Sequence, residues 1–205
     1  MLLRRPEADS AEDIAEKSKI RELIEFERFC RDCALWDEMK KCYAPDSDVD
    51  ISWFRGSGYE FVDASSRLKQ PATHKIYDTL VWKNGSKAVA ITMATIEMRF
   101  DLQGTSVNLE SDSRLVYRLR KREGLWFIVG FESIYEKDAI IPVYPASRVS
   151  IDEKELSGFR QSYAAMSYMN ALNNRNINGD LPGIDRPETV EALYRKAKEW
   201  LEAQE

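Results

Sequence analysis

The chain has 205 residues, of which 43% are hydrophobic and 11% are aromatic, enough apolar material for a folded domain with a substantial core. Acidic residues outnumber basic ones, and the formal net charge of -5 leaves no surplus of positive charge to neutralise phosphates. The composition therefore argues against nucleic acid as a partner. The single histidine, His74, excludes a metal site built from several histidines.

The three cysteines, Cys30, Cys33 and Cys42, are an odd number, which is unlike a secreted disulfide framework and favours a reducing cytosol. Cys30 and Cys33 have half the spacing of a zinc ribbon, but no second pair follows. We interpret all three as small buried residues on helices and expect no metal site. The N-terminus lacks the apolar stretch of a signal peptide, and no run approaches the roughly 20 apolar residues of a membrane span. The sequence therefore predicts a cytoplasmic protein with no membrane partner.

Helices are predicted for the N-terminal part of the chain. Ser10 is a suitable N-cap for a helix that extends to about Asp32, since apolar residues recur there at spacings of three and four: Ile20, Leu23, Ile24 and Cys30. Residues 35–43 predict a second, short helix that ends before Pro45. The polar cluster 45–48 predicts a turn.

Strand patterns dominate the next part. Strands are predicted over 49–54, 73–83, 87–102, 107–122 and 125–135, with turns at 56–58, 84–85, 104 and 123–124 and one helix over 59–69. Four of these strands are long and follow one another through short turns, which is typical of antiparallel pairing. Helices first and antiparallel strands afterwards predict an α+β domain with one curved sheet around the N-terminal helix.

The pattern returns to helices after residue 145, which divides the chain into a domain over 1–145 and an extension over 146–205. Residues 151–172 predict a helix, although Gly158 weakens it, and 173–184 predict a loop. Asp185 and Glu188 have the spacing of a capping box at the start of a last helix. Its apolar face would pack on the sheet or on a neighbouring subunit: Val190, Leu193, Tyr194, Ala197 and Leu201.

Several motifs resemble the SnoaL-like branch of the nuclear transport factor two-like superfamily. The resemblance covers residues 14–145: the stretch from Ile20 through Trp36 to Asp46, then Thr73-His74, Asn84-Gly85, Gly124-Leu-Trp126, and Tyr135-Glu-Lys-Asp138 with Pro142. It implies a cone-shaped α+β barrel, in which a strongly curved, mostly antiparallel sheet and N-terminal helices enclose a hydrophobic pocket. It also implies a homodimer or homotrimer and chemistry without a cofactor.

The resemblance further implies a catalytic pair. Scytalone dehydratase and hexachlorocyclohexane dehydrochlorinase pair a histidine near the start of the second strand with an aspartate at the end of the first helix, and these positions match His74 and Asp32. An aspartate that binds one ring nitrogen fixes the tautomer of the histidine, which can then act as a general base. The second histidine of scytalone dehydratase has no counterpart here. Glu27 stands where the bile-acid 7α-dehydratase has a pocket tyrosine.

Further residues are expected to bind the substrate. Ser111 and Ser113 share the predicted inward face of one strand and would donate hydrogen bonds to a developing oxyanion. Trp53, Tyr59 and Tyr77 would shape a cavity of aromatic size. Two roles remain open for Glu27, which either serves as an acid or hydrogen-bond partner in the pocket or pairs with Arg31 one turn further on.

Together these features favour a cofactor-independent lyase of the dehydratase type, or an isomerase, that acts on a small hydrophobic cyclic or aromatic molecule. Two alternatives remain. One is a non-catalytic ligand-binding or assembly subunit resembling the β subunit of ring-hydroxylating dioxygenases, and the other is a polyketide-cyclase-like catalyst. A purely structural explanation of the pair is also open, because a buried histidine often binds a backbone carbonyl and Asp32 is placed to cap the second helix.

Overall fold

The computed structural model describes residues 3–6, 10–68, 72–175 and 177–204. Its N-terminal elements are α1 (Ala11–Asp32), α2 (Trp36–Lys41), β1 (Tyr43–Ile51), β2 (Phe54–Ser57) and α3 (Gly58–Ser66). Four long strands follow: β3 (Ala72–Asn84), β4 (Lys87–Leu102), β5 (Thr105–Arg122) and β6 (Leu125–Pro142). The C-terminal part contains α4 (Glu153–Ser157), a 3-10 turn (Gln161–Tyr163), α5 (Ala164–Leu172) and α6 (Pro187–Glu202).

The strands form one curved, six-stranded sheet in the order β2-β1-β6-β5-β4-β3. Neighbouring strands are antiparallel except β1 and β6, which are parallel. The predicted α+β class and the curved, mostly antiparallel sheet are confirmed. The sheet is nevertheless open rather than a closed barrel, since its edge strands β2 and β3 do not pair in the described part of the chain.

Helix α1 has the predicted bounds, and the structure shows how each end is formed. Ser10 Oγ accepts a hydrogen bond from the backbone N–H of Asp13 and so caps the first turn. At the other end Ala34 takes a left-handed conformation, with φ of 57°, and reverses the chain directly after Asp32. Cys33 is exposed at this turn, so our interpretation of it as a buried residue is wrong, whereas Cys30 and Cys42 are buried.

The predicted turn at 45–48 is wrong, because these residues belong to β1. They form an irregularity: Tyr43 pairs with Ile128 and Asp48 with Gly130, so β1 has extra residues that β6 does not match. Proline and polar residues are suited to such a bulge as well as to a turn. The pairing partner lies far along the chain, which is why the local pattern did not reveal it.

The segment predicted as a turn at 56–58 contains the end of β2 and the first residue of α3. Ser57 and Glu60 form a reciprocal capping box at the start of that helix. A side chain at Gly58 would approach the Tyr43 ring to 2.4 Å and Ser47 Oγ to 2.5 Å, so glycine is required there by close packing. The glycine signal therefore marked a tight contact and not a reversal of the chain.

Three predictions for the later part of the chain also need correction. Strand β6 continues to Pro142 instead of ending at residue 135, and the helix predicted over 151–172 is interrupted, since α4 ends before Gly158. Asp185 does not cap α6, which begins at Pro187 after Arg186. The Asp185 carboxylate instead accepts hydrogen bonds from the Arg160 guanidinium and from Ser162 Oγ.

The extension packs on both faces of the sheet. Helix α5 shares a core with the far ends of β4, β5 and β6, whereas α6 covers the face opposite α1. Successive side chains of β4 point to opposite faces of the sheet. Ala88 and Ala90 pack towards the N-terminal helices, whereas Val89 and Ile91 pack against α6. Within the described part of the chain, no helix combines the length and apolar character needed to cross a membrane.

Candidate active site

A cavity of about 390 Å³ lies between the N-terminal helices, the inner face of the sheet and α5. Arg28, Arg31 and His74 form part of its wall and are its main charged or titratable groups besides Arg175. Most of the remaining wall is apolar, including Trp53, Phe61, Ile96, Leu115, Phe131 and Met166. A cavity of this composition suits a small, largely apolar ligand that presents a few polar atoms.

His74 and Asp32 are in direct contact at this cavity. Asp32 Oδ1 lies 2.5 Å from His74 Nδ1, and Asp32 Oδ2 accepts a hydrogen bond of 2.7 Å from the His74 backbone N–H. The side chains are only 6% and 20% exposed for His74 and Asp32. An ionised aspartate requires a proton on Nδ1, so Nε2 is the acceptor nitrogen of the ring and faces the Arg28 Nη1 donor 3.4 Å away.

The contact depends on two elements that meet at their ends. Asp32 is the last residue of α1, and His74 is near the first residue of β3, which lies against α1. The chain turns away at Ala34, so no further helical turn follows Asp32. Two hydrogen bonds to one residue fix both the ring of His74 and its backbone.

Burial is the main cause that lowers the pKa of His74 below its ordinary value of 6.5. The positive charges of Arg28 and Arg31 lower it further, whereas the hydrogen bond and the charge of Asp32 oppose this shift. The imidazole is therefore neutral at neutral pH, the state in which a base accepts a proton.

Arg28 carries a guanidinium beside the imidazole. Its Nη1 lies 3.4 Å from His74 Nε2, and its Nε and Nη2 each donate a hydrogen bond of 2.5 Å to the carboxylate of Glu27. The Tyr43 hydroxyl donates to the same carboxylate at 2.8 Å, and the guanidinium lies 5.0 Å from the centre of the Phe131 ring. Although burial disfavours the charged form of Arg28, Glu27 more than offsets it and raises the pKa above its ordinary value.

Glu27 therefore has neither of the two roles that the sequence left open. It does not line the cavity, and its partner is the adjacent Arg28 rather than Arg31. Its side chain is completely buried beneath the cavity wall. Glu27 thus holds a cationic donor in place.

The other predicted site residues are divided between the cavity and positions away from it. Trp53 lines the cavity, as expected. Tyr77 does not: its side chain is exposed, and its hydroxyl lies 3.1 Å from Thr95 Oγ1, because Tyr77 is three residues from His74 on β3 and so lies on the opposite face of the strand. Tyr59 belongs to α3 and lies beside α2, whose Lys40 Nζ is 5.5 Å from its ring centre.

Ser111 and Ser113 lie on the inner face of β5, as the alternation predicts, and both are buried. Neither residue is part of the cavity wall. Their hydroxyls have no hydrogen-bond partner within the described residues. They are thus buried polar groups near the cavity, without the direct access to a ligand that donors to an oxyanion require.

The sequence reasoning missed the two arginines of the cavity wall and the contribution of the extension. A signal for Arg28 was available, since it precedes Asp32 by four residues and so shares its face of α1. Met166 and Asn170 of α5 complete the cavity, together with Arg175 and Ile177. No sequence pattern places these residues opposite α1, because that depends on how the extension folds back.

Known proteins resemble this chain along nearly its whole length. No family model matches it. A PEP2-like protein of Fusarium vanettenii is 29% identical over 205 residues, which span 94% of this chain and 88% of that protein. Pea pathogenicity protein 2 of the same fungus is also 29% identical, over 93% of this chain and 87% of its own length.

Solved structures share the fold at low sequence identity. Hexachlorocyclohexane dehydrochlorinase type 3 of Novosphingobium barchaimii superposes with a TM-score of 0.54 at 12% identity, over 67% of this chain and 97% of that one. A protein described as a putative scytalone dehydratase of Novosphingobium aromaticivorans superposes with a TM-score of 0.50 at 12% identity, over 67% of this chain and 97% of that one. The chain therefore has the α+β cone fold of nuclear transport factor two-like proteins. About a third of it lies outside that common fold.

Proposed function

We propose that the protein is a cofactor-independent lyase of the SnoaL-like type that eliminates water, or another small leaving group, from a small hydrophobic cyclic or aromatic molecule. The observation that carries the proposal is the contact between His74 and Asp32 on the wall of a mostly apolar cavity. The fold of the two neighbours named above, whose descriptions are a dehydrochlorinase and a putative dehydratase, supports the same reaction class.

His74 is the proposed base. Its Nε2 removes a proton from a carbon of the substrate, and Asp32 stabilises the resulting imidazolium through the hydrogen bond to Nδ1. The electron pair of the broken C–H bond forms the new double bond as the leaving group departs with its own pair. In a dehydration the imidazolium then returns its proton to the departing hydroxyl, so that water leaves and the ring is again neutral.

Arg28 is the proposed electrophilic group. Its Nη1 is next to His74 Nε2, so a substrate atom that gains negative charge beside the base lies within reach of this donor. Glu27 holds the guanidinium by two hydrogen bonds, which limits its movement during the reaction. With its pKa raised, Arg28 acts as a fixed positive charge and not as a proton donor.

The test begins with a panel of phenolic, steroidal and halogenated cyclic compounds, in which mass spectrometry follows loss of water or hydrogen halide. For any compound that is converted, we expect His74→Ala and Asp32→Asn each to lower kcat/KM by roughly 10²- to 10⁴-fold. The matched control is Lys75→Met, because Lys75 follows His74 on β3 but forms an exposed ion pair with Glu97. Lys75→Met is expected to retain wild-type kcat/KM.

Two outcomes would contradict the proposal. Unchanged turnover in both His74→Ala and Asp32→Asn would exclude the pair from the chemistry. Loss of activity in Asp32→Asn alone, with His74→Ala fully active, would instead favour the aldol catalyst that relies on an acidic residue. Circular dichroism spectra and melting curves of both variants separate these outcomes from a loss of folded protein.

A further inference from the structure

We propose that the cavity selects substrates that carry a carboxylate, and that Arg31 is the residue that binds it. Arg31 lies on the last turn of α1 and lines the cavity beside His74 and Arg28. This inference rests on the proposed function of the same cavity and specifies the class of molecule that it accepts.

The argument begins with the hydrogen bonds that Arg31 lacks. Arg31 is only 7% exposed, yet no hydrogen bond or ion pair joins its guanidinium to any residue of the described chain. Its recorded contact is with the Trp36 ring, whose centre lies 5.6 Å from Cζ. A guanidinium has five N–H donors, and because Arg31 lines the cavity, none of its nitrogens is among the polar atoms of the described residues that are fully buried without a partner. A ligand in the cavity would supply the missing acceptors.

Neighbouring carboxylates do not fill this role, because both are already engaged. Glu27 accepts two hydrogen bonds from Arg28, and each oxygen of Asp32 accepts one from His74. Burial and the positive charge of Arg28 lower the pKa of Arg31, while Asp32 partly offsets this effect. Arg31 thus has donors available to a ligand in the cavity.

The geometry of the guanidinium favours a carboxylate over larger anions. Two parallel N–H groups of a guanidinium match the two oxygens of a carboxylate, and Arg31 Cζ lies over the Trp36 ring at 5.6 Å from its centre. Most of the remaining wall is apolar, so it suits the hydrocarbon part of a molecule. Arg175 also lines the cavity, but it is exposed, and its charge is therefore screened by water.

The experiment compares three pairs of ligands that differ only in charge: benzoate and benzamide, 3-phenylpropionate and 3-phenylpropanamide, and 2-naphthoate and 2-naphthamide. Isothermal titration calorimetry on the wild-type protein is expected to show at least one acid that binds roughly 10- to 100-fold more tightly than its amide. Arg31→Met should abolish this preference and leave the affinity for the amide unchanged. Arg31→Lys, which keeps the charge without the planar fork, should retain part of it.

Arg21→Met is the matched control. It removes the same charge from the same helix, but Arg21 Nε donates to the backbone carbonyl of Thr79 and the residue does not line the cavity. The preference for the acid should persist in this variant. If the Arg31→Met variant shows no cooperative melting transition, the Arg31→Gln variant is used instead, because glutamine is polar but carries no charge.

Two results would overturn the inference. One is a wild-type protein that binds no acid of the series more tightly than its amide. The other is a preference that survives in Arg31→Met, which would leave Arg31 with a structural role against Trp36. His74→Ala and Asp32→Asn separate this inference from the proposed catalysis, because both variants should keep the preference for the acid even where turnover is lost.

Discussion

His74 is the only histidine in the sequence, so its ring signals in a nitrogen-15 NMR spectrum require no assignment. Because burial lowers the pKa of His74, we expect its titration midpoint below 6.5. Asp32→Asn removes the negative charge that opposes this shift and should lower the midpoint further. A wild-type midpoint above 6.5 would contradict the neutral base on which the proposed reaction depends.

The same shift has a consequence for stability. Between pH 6.5 and the lower pKa of the folded protein, the unfolded chain binds a proton at His74 that the folded chain does not. The free energy of unfolding should therefore fall as the pH decreases through this window. Urea unfolding at several pH values would measure the decrease, and His74→Gln should make it smaller. An equal pH dependence in the variant would assign the effect to other groups.

Glu27 and Arg28 allow a test of the charge pair beneath the cavity. Glu27→Gln would leave the buried guanidinium without its counterion, and breaking a buried pair in this way typically costs about 3–5 kcal/mol. Urea unfolding would measure the loss. Glu38→Gln is the control, since it breaks an exposed pair with Lys41 and should not change stability measurably. Equal effects of both substitutions would show that the buried pair has no special importance.

At the scale of elements, local signals predicted the structure well where one element determines its own ends. The bounds of α1 follow from Ser10 and from the turn after Asp32, and those of β4 from the glycine turns on either side. The segment 45–48 failed because its strand is defined by pairing with β6, far along the chain. Local periodicity contains no information about such partners.

The candidate site shows the same limit. Asp32 and His74 were predicted by resemblance to a motif, and they are in contact. Tyr77 was expected in the pocket, but it is three residues from His74 on β3, so the alternation of the strand places it on the opposite face. Arg28 and Arg31 were missed because arginine on a helix is usually exposed, and only the meeting of α1 with the sheet buries them.

Helix α6 offers a test of how strongly the extension is attached. Leu201 is completely buried against the face of the sheet opposite α1. Leu201→Ala should lower the free energy of unfolding by about 2–5 kcal/mol, because it leaves a void in a packed interface. Lys198→Ala changes an exposed residue of the same helix and should have no measurable effect. A neutral Leu201→Ala would mean that α6 is not firmly packed on the sheet.

For the molecule as a whole, the extension belongs to the same folding unit as the sheet. Met166 and Met169 of α5 share a core with Leu109 and Tyr135, and α6 shares another with β4 and β5. We therefore expect one cooperative unfolding transition, with equal calorimetric and van't Hoff enthalpies. A separate early transition that removes helical signal and leaves the sheet intact would contradict this expectation.

The parallel pairing of β1 with β6 has a consequence for synthesis in the cell. Asp48 pairs with Gly130, so β1 leaves the ribosome on the order of ten seconds before its partner strand does. During that interval its pairing edge is open to other chains, a recognised route to aggregation. Contacts between such distant segments also make folding slow. We therefore expect nascent chains of this protein to depend on chaperones until β6 has emerged.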